Sequence, residues 1–132
     1  MTSAQPNQRF PKAEHLCSRK LIEHLYNDGH RLRVFPYSVQ WMLADRLDVP
    51  CQVLIVAPKR KLHHAVDRNR IKRLTRECYR LRKQPLIDLL RGQQKTLVLS
   101  LVYIHNEVQS FEYLGQRMDK LVAAIQHELE AQ

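Results

Sequence analysis

The sequence predicts a single two-layer domain of α+β or α/β type, with helices packed on a small sheet. Its 132 residues, 44% of them apolar, suffice for one real core. Two β-rich stretches precede a strongly helical segment, and a near-continuous apolar run, LVLSLVYI from Leu97 to Ile104, follows it. Such a strand, helix, strand passage is what a small sheet covered by helices requires. There is no internal repeat, low-complexity segment or linker, so residues 1–132 form one domain.

Residues 1–15 are polar and carry Pro6 and Pro11, which predicts an irregular N-terminal arm. Within it, Arg9, Phe10 and Lys12 suit either a stacking arm or a tail anchored by the Phe ring. Ser18 as N-cap and Gly29 as a C-terminal stop bracket a first helix, with Leu21, Ile22, Leu25 and Tyr26 on its apolar side. A short strand near Arg31 is possible. VFPYSVQWMLA, from Val34 to Ala44, reads as a strand in which Pro36 implies an edge or a bulge. The turn-rich link DRLDVP leads to a second strand, CQVLIVAP, expected to pair antiparallel with the first. Beyond the central helical segment, PLIDLLRGQQK reads as a helical turn and loop, with Pro85 stopping or kinking the helix before it. Ser110 then caps a closing helix with Phe111, Leu114, Met118, Leu121, Val122, Ile125 and Leu129 at core spacing.

Charge is concentrated in one place. Lys59 to Lys83 hold eleven Lys or Arg against Asp67 and Glu77, a net of 11 − 2 = +9, which equals the charge of the whole chain, 22 − 13 = +9. Ile71, Leu74, Cys78 and Leu81 form the apolar stripe of a helix there, capped by Asp67 with Val66 and Ile71 as a staple, or by His64 one turn earlier. Arg68, Lys72, Arg73, Arg76, Arg80 and Lys83 share the opposite side with Asn69 and Tyr79. Like charges at i,i+4 spacing repel, and a polyanion relieves the repulsion, which points to nucleic acid rather than a plain solvated face.

Other chemistries find little support. Cys17, Cys51 and Cys78 are too far apart in sequence for a zinc motif and odd in number for a disulfide framework, which suits a reducing cytoplasm. His63, His64 and Asp67 do not complete a metal-ligand set. No Gly-rich phosphate loop, nucleophile turn or carboxylate cluster appears, so neither an autonomous active site nor a protein-borne cofactor is expected. No apolar run is long enough to span a membrane. A helix-turn-helix DNA reader would need a short helix before the basic one, where this sequence has a strand. Tyr26, Tyr37 and Trp41 read mainly as core residues that can also stack on an unpaired base.

The segment AVDRNRIKRLTRE, Ala65 to Glu77, is similar to the signature of the bacterial ribonuclease P protein component. In that family a strand and a Lys-rich loop run into a helix bearing Arg-Asn-Arg, here VLIVAPKRK, HHAV and Arg68-Asn69-Arg70. Tyr26 and Gly29 also follow the pattern, whereas His63-His64 stand where Gly-Asn is usual. The resemblance implies an α+β fold of α-β-β-β-α-β-α order, a mostly antiparallel sheet and a left-handed β-α-β crossover, as in the second domain of ribosomal protein S5. It implies a subunit of the ribonucleoprotein endoribonuclease that removes the 5′ leader of precursor tRNA, in which the RNA is the catalyst and the protein supplies no catalytic residue. Lys59, Arg60, Lys61, Arg68, Asn69, Arg70, Lys72, Arg73 and Arg76 would contact the RNase P RNA. Phe10, Ile22, Tyr26, Ser38 and Gln40 would line a cleft for the leader. Partners would be that RNA and precursor tRNA, with no obligate protein partner and no membrane; Mg2+ would be required by the RNA-containing holoenzyme and not bound by the protein alone. The competing reading is a structural RNA binder of ribosomal type, with the same basic helix and no leader cleft.

Overall fold

A computed structural model describes residues 9–45 and 47–131; the arm before Arg9 lies outside them. The first helix, α1 (Arg19–Asp28), starts where the Ser18 hydroxyl accepts the Leu21 N–H at 3.3 Å. It stops at Gly29, whose N–H donates to Leu25 O. Gly29 has φ −70°, so it is not a left-handed stop; a Cβ there would sit 2.4 Å from the Leu25 carbonyl, and clearance is what selects glycine. Strands β1 (His30–Val34) and β2 (Tyr37–Leu43) form a hairpin whose turn holds a cis Phe35–Pro36 bond. The short strand near Arg31 is β1, and the strand expected from Val34 starts instead at Tyr37, with Pro36 at the turn, where its missing N–H interrupts no ladder.

Strand β3 (Cys51–Val56) leads to α2 (Ala65–Arg82), α3 (Gln84–Gln93), β4 (Leu97–Tyr103) and α4 (Phe111–Glu130). The sheet order is β1-β2-β4-β3, with β4 antiparallel to β2 and parallel to β3. The expected pairing of the second and third strands does not form. β4 lies between them because its almost fully buried run favours the position hydrogen-bonded on both sides. Residues 84–93 form a full helix where a turn and loop were expected. Pro85 falls in its first turn, where no N–H is needed, and Leu86, Ile87 and Leu90 are buried.

Alternation divides the sheet into two faces. Tyr37, Val39, Trp41, Cys51, Val53, Leu97, Leu99, Leu101 and Tyr103 point into the main core with residues of α2, α3 and α4. On the other face Met42 and Val98 form a smaller cluster with Leu25 of α1 and Leu16.

α2 begins after His64, one turn before Asp67, and Val66 is 75% exposed, so the expected Asp67 cap and staple are absent. Its buried residues are Ile71, Thr75, Cys78 and Tyr79, while Leu81 is 44% exposed. The stripe is rotated because Thr75 accepts burial by bonding the Tyr37 hydroxyl at 2.8 Å, and Tyr79 packs edge-on to Phe10 at 5.4 Å.

Lys83 is not on the cationic face. It is 2% exposed, its Nζ 2.5 Å from Glu14 Oε1 and also donating to the Arg9 carbonyl. With the Gln52 side chain on Ala13 O and Leu16 N–H on Val53 O, this pair straps residues 9–16 across the edge of β3. No helix among the described residues is long and apolar enough to cross a membrane.

Glu14→Gln leaves the Lys83 ammonium buried without a counter-charge and should lower the unfolding free energy by about 3 kcal/mol in urea melts. Replacing both partners, Glu14→Leu with Lys83→Met, should cost less. Burial pushes the Cys51 thiol up to about 12 and Cys78 up to about 11, while Cys17 is exposed. At pH 8 a thiol reagent should therefore modify Cys17 rapidly and the other two only as the protein unfolds; more than one fast equivalent would contradict this.

Candidate nucleic-acid interface

Two adjoining surfaces carry the residues singled out in the sequence. The first is α2 with the loop before it. That loop is compact because Lys61 and Leu62 N–H both donate to Pro58 O, and Leu62 is buried. Lys59 and Arg60 are exposed on it and Lys61 is half-buried. His64 has φ −89°, and Gln94 is the one non-glycine residue with positive φ among the described residues, so the histidines are held without left-handed backbone.

Arg68 Nη1 donates to the carbonyls of Leu62 and His63, both at 2.9 Å, tying the loop to the first turn of α2. The rest of its guanidinium fork remains for an anion. Arg68, Lys72 and Arg76 repeat at four-residue spacing along one flank, and Asn69, Arg70 and Arg73 are exposed beside them. Their neighbours are differently committed. Arg80 grips Glu77 through Nε and Nη2, a bond that holds the Glu77 carboxyl below its usual range. Arg82 reaches Asp119 at 2.8 Å. Among the described residues no carboxylate is paired with Arg68, Arg70, Lys72, Arg73 or Arg76. Within residues 59–82, cations without a carboxylate partner thus fall in the loop and the first three turns of the helix.

The second surface is the sheet face bearing α1. Register sets Arg33, Ser38, Val102 and Val56 in one row across the strands, and Arg31, Gln40, Ser100 and Leu54 in the next. Tyr26, half-buried on α1, places its hydroxyl 3.0 Å from Ser100 Oγ, with Ile22 one turn earlier. Gln40, half-buried in the floor, has its Nε2 enclosed without a protein hydrogen-bond partner among the described residues. The fold therefore brings Ile22, Tyr26, Ser38 and Gln40 to one face. Phe10 lies apart, at the β3 edge, where it lines a hollow of about 170 Å³ with His15, Cys17, Leu54 and Arg76. Arg31, Arg33 and Ser100 were not expected on this surface. Their signal is the hairpin turn: once it is placed at Phe35–Pro36, residues 31 and 33 fall opposite 40 and 38.

Among the described residues no three His, Cys, Asp or Glu side chains come together to hold a metal ion. What the two surfaces offer is phosphate contact on one side and, on the other, a floor of one aromatic ring and hydrogen-bonding groups.

A family model described as Ribonuclease P matches residues 10–126. The ribonuclease P protein component of Porphyromonas gingivalis is 32% identical over 126 residues, covering 95% of this chain and 91% of that protein. That of Chlorobaculum tepidum is 34% identical over 94 residues, 68% and 61% of the two chains. The Staphylococcus aureus RNase P protein superposes with a TM-score of 0.68 at 18% identity, covering 86% of this chain and 95% of that one. The Thermotoga maritima protein gives 0.61 at 18%, covering 83% and 94%. At such identities these superpositions speak to the fold alone.

Arg68→Lys keeps the charge but loses the planar fork whose Nη1 bridges the Leu62 and His63 carbonyls. Amide exchange at residues 59–64 should accelerate several-fold while protection in the middle of α2 is unchanged; equal protection of the loop in both proteins would remove Arg68 as its clamp.

Proposed function

The chain belongs to the ribonuclease P protein family, and on that premise we propose that its two surfaces divide the binding of RNA between them. As a protein component of ribonuclease P it works within an endoribonuclease. On this reading the loop Lys59–Lys61 and the exposed cations of α2 hold phosphates of the RNase P RNA, and the sheet face beside α1 holds the single-stranded 5′ leader of precursor tRNA.

The observation that carries the reading is the contrast within α2. Arg80 and Arg82 have carboxylate partners, whereas Arg68, Arg70, Lys72, Arg73 and Arg76 have none among the described residues. Phosphate contact gives affinity without sequence preference, which suits a scaffold RNA and leaders of varied sequence. Tyr26 with Ile22 offers a stacking wall, and Ser38 and Gln40 offer hydrogen bonds to a strand lying on the sheet. Chemistry stays with the RNA, whose active site uses Mg2+; the protein raises affinity for precursor over mature tRNA by holding the leader that only the precursor carries.

Adding the protein to a bacterial RNase P RNA at low magnesium should stimulate leader removal, and no stimulation over RNA alone would sink the reading. Arg73→Ala should weaken binding to the RNA and make the log-log salt slope shallower by about one. Tyr26→Ala should instead leave RNA binding intact and weaken precursor binding about tenfold; an equal loss for mature tRNA would place Tyr26 outside the leader site.

A further inference from the structure

At the tip of the β1–β2 hairpin, Phe35 is 42% exposed. A single exposed apolar side chain is ordinary; the support beneath this one is not. Tyr37 and Tyr103, both buried, meet edge to face at 5.8 Å, and the His105 ring lies nearly parallel to Tyr103 at 6.3 Å. Phe35 sits against His105 at 5.2 Å. A ladder of four rings thus runs from the core to the surface.

Hydrogen bonds fix the outer part of that ladder. His105 Nδ1 accepts the Glu107 N–H at 3.1 Å, and its Nε2 is 3.2 Å from the Gln109 amide nitrogen. The Tyr103 hydroxyl donates to Glu107 O at 2.6 Å, closing the loop that presents the histidine. Arg117 Nε donates to the Phe35 carbonyl at 2.5 Å, anchoring the turn to α4. The ring is held in place while much of its surface stays in water, so the support does more than fill the core.

From this geometry we infer that Phe35, backed by His105, is a stacking platform for one unpaired nucleobase of the RNA held by α2; the inference rests on that reading of α2. The ligand chemistry follows from the surroundings. A flat π face beside Arg117, whose guanidinium lies at the Phe35 carbonyl, suits a base with its phosphate. One ring is too small a patch for a stable protein interface. Position agrees as well. Val34, Tyr37 and Tyr103 end or begin their strands at the end of the sheet where Val56 leads towards Lys59. Three strand spacings, about 14 Å, separate β1 from β3, a gap that a few nucleotides cross. RNA seated on the basic loop can therefore reach the platform without leaving the surface.

The test uses the full chain with a bacterial RNase P RNA. Phe35→Leu keeps an apolar side chain but removes the stacking face; it should raise Kd about tenfold with an unchanged salt slope, because no phosphate contact is lost. Phe35→Trp should retain affinity, and emission from the new indole should be quenched on adding the RNA against the steady background of buried Trp41. An unchanged Kd for Phe35→Leu, or indole emission indifferent to RNA, overturns the platform. Arg73→Ala, measured alongside, separates the two readings. If it weakens binding while Phe35→Leu does not, the platform alone is lost; if neither variant affects binding, the reading of α2 falls with it.

Discussion

The contact between α2 and the rest of the domain reconciles a helix of seven Lys or Arg against two acids with a folded protein. Like charges at i,i+4, as in Arg68, Lys72 and Arg76, cost about 0.2–0.5 kcal/mol per pair. Burying Ile71 alone stabilises by about 1.5–3 kcal/mol, and Cys78 and Tyr79 add to it, so docking outweighs the repulsion. The burial is angularly narrow, and that leaves the rest of the circumference free to carry cations. Acid partners for Arg80 and Arg82 neutralise the C-terminal half, where the helix runs alongside α4.

Sheet order follows from the same demand. β4 connects to α2 and α3 and is buried almost throughout, so it takes the interior position and separates β2 from β3. One face of the sheet is then closed by α2, α3 and α4. The other is covered by α1 and Leu16 before it, which leave Ser38, Gln40, Leu54 and Val102 half-covered. The strap from Arg9 to Leu16, tied by Lys83 and Glu14, shields the β3 edge and brings Phe10 beside Arg76. The unpaired cations of α2 and a partly open floor thus adjoin across one edge strand.

Features set by local chemistry were legible in the sequence. Ser18 and Ser110 cap helices through their own hydroxyls, and β4 shows in an unbroken apolar run. The basic element was visible as charge, and Arg-Asn-Arg pointed to its family. Features set by distant partners were not. Tyr79 reads as sharing the cationic side until Phe10 meets it. Lys83 reads as surface until Glu14, 69 residues away, accepts it. A strand near Arg31 and a break at Pro36 were both visible, but Val34 and Tyr37 both favour strand, so the hairpin turn between them was not fixed. Without that turn, neither Arg31 and Arg33 on the floor nor Phe35 at the tip could be placed.

The account stands on a division of labour between the two surfaces. Hydrogen exchange across the whole chain, measured with RNase P RNA alone and then with precursor tRNA added, tests it most directly. Residues 59–76 should gain protection with the RNA alone, and residues 22–26 and 38–40 only when a precursor bearing a leader joins the complex. Full protection of both regions by the RNA alone, or no further change on adding the leader, would contradict it.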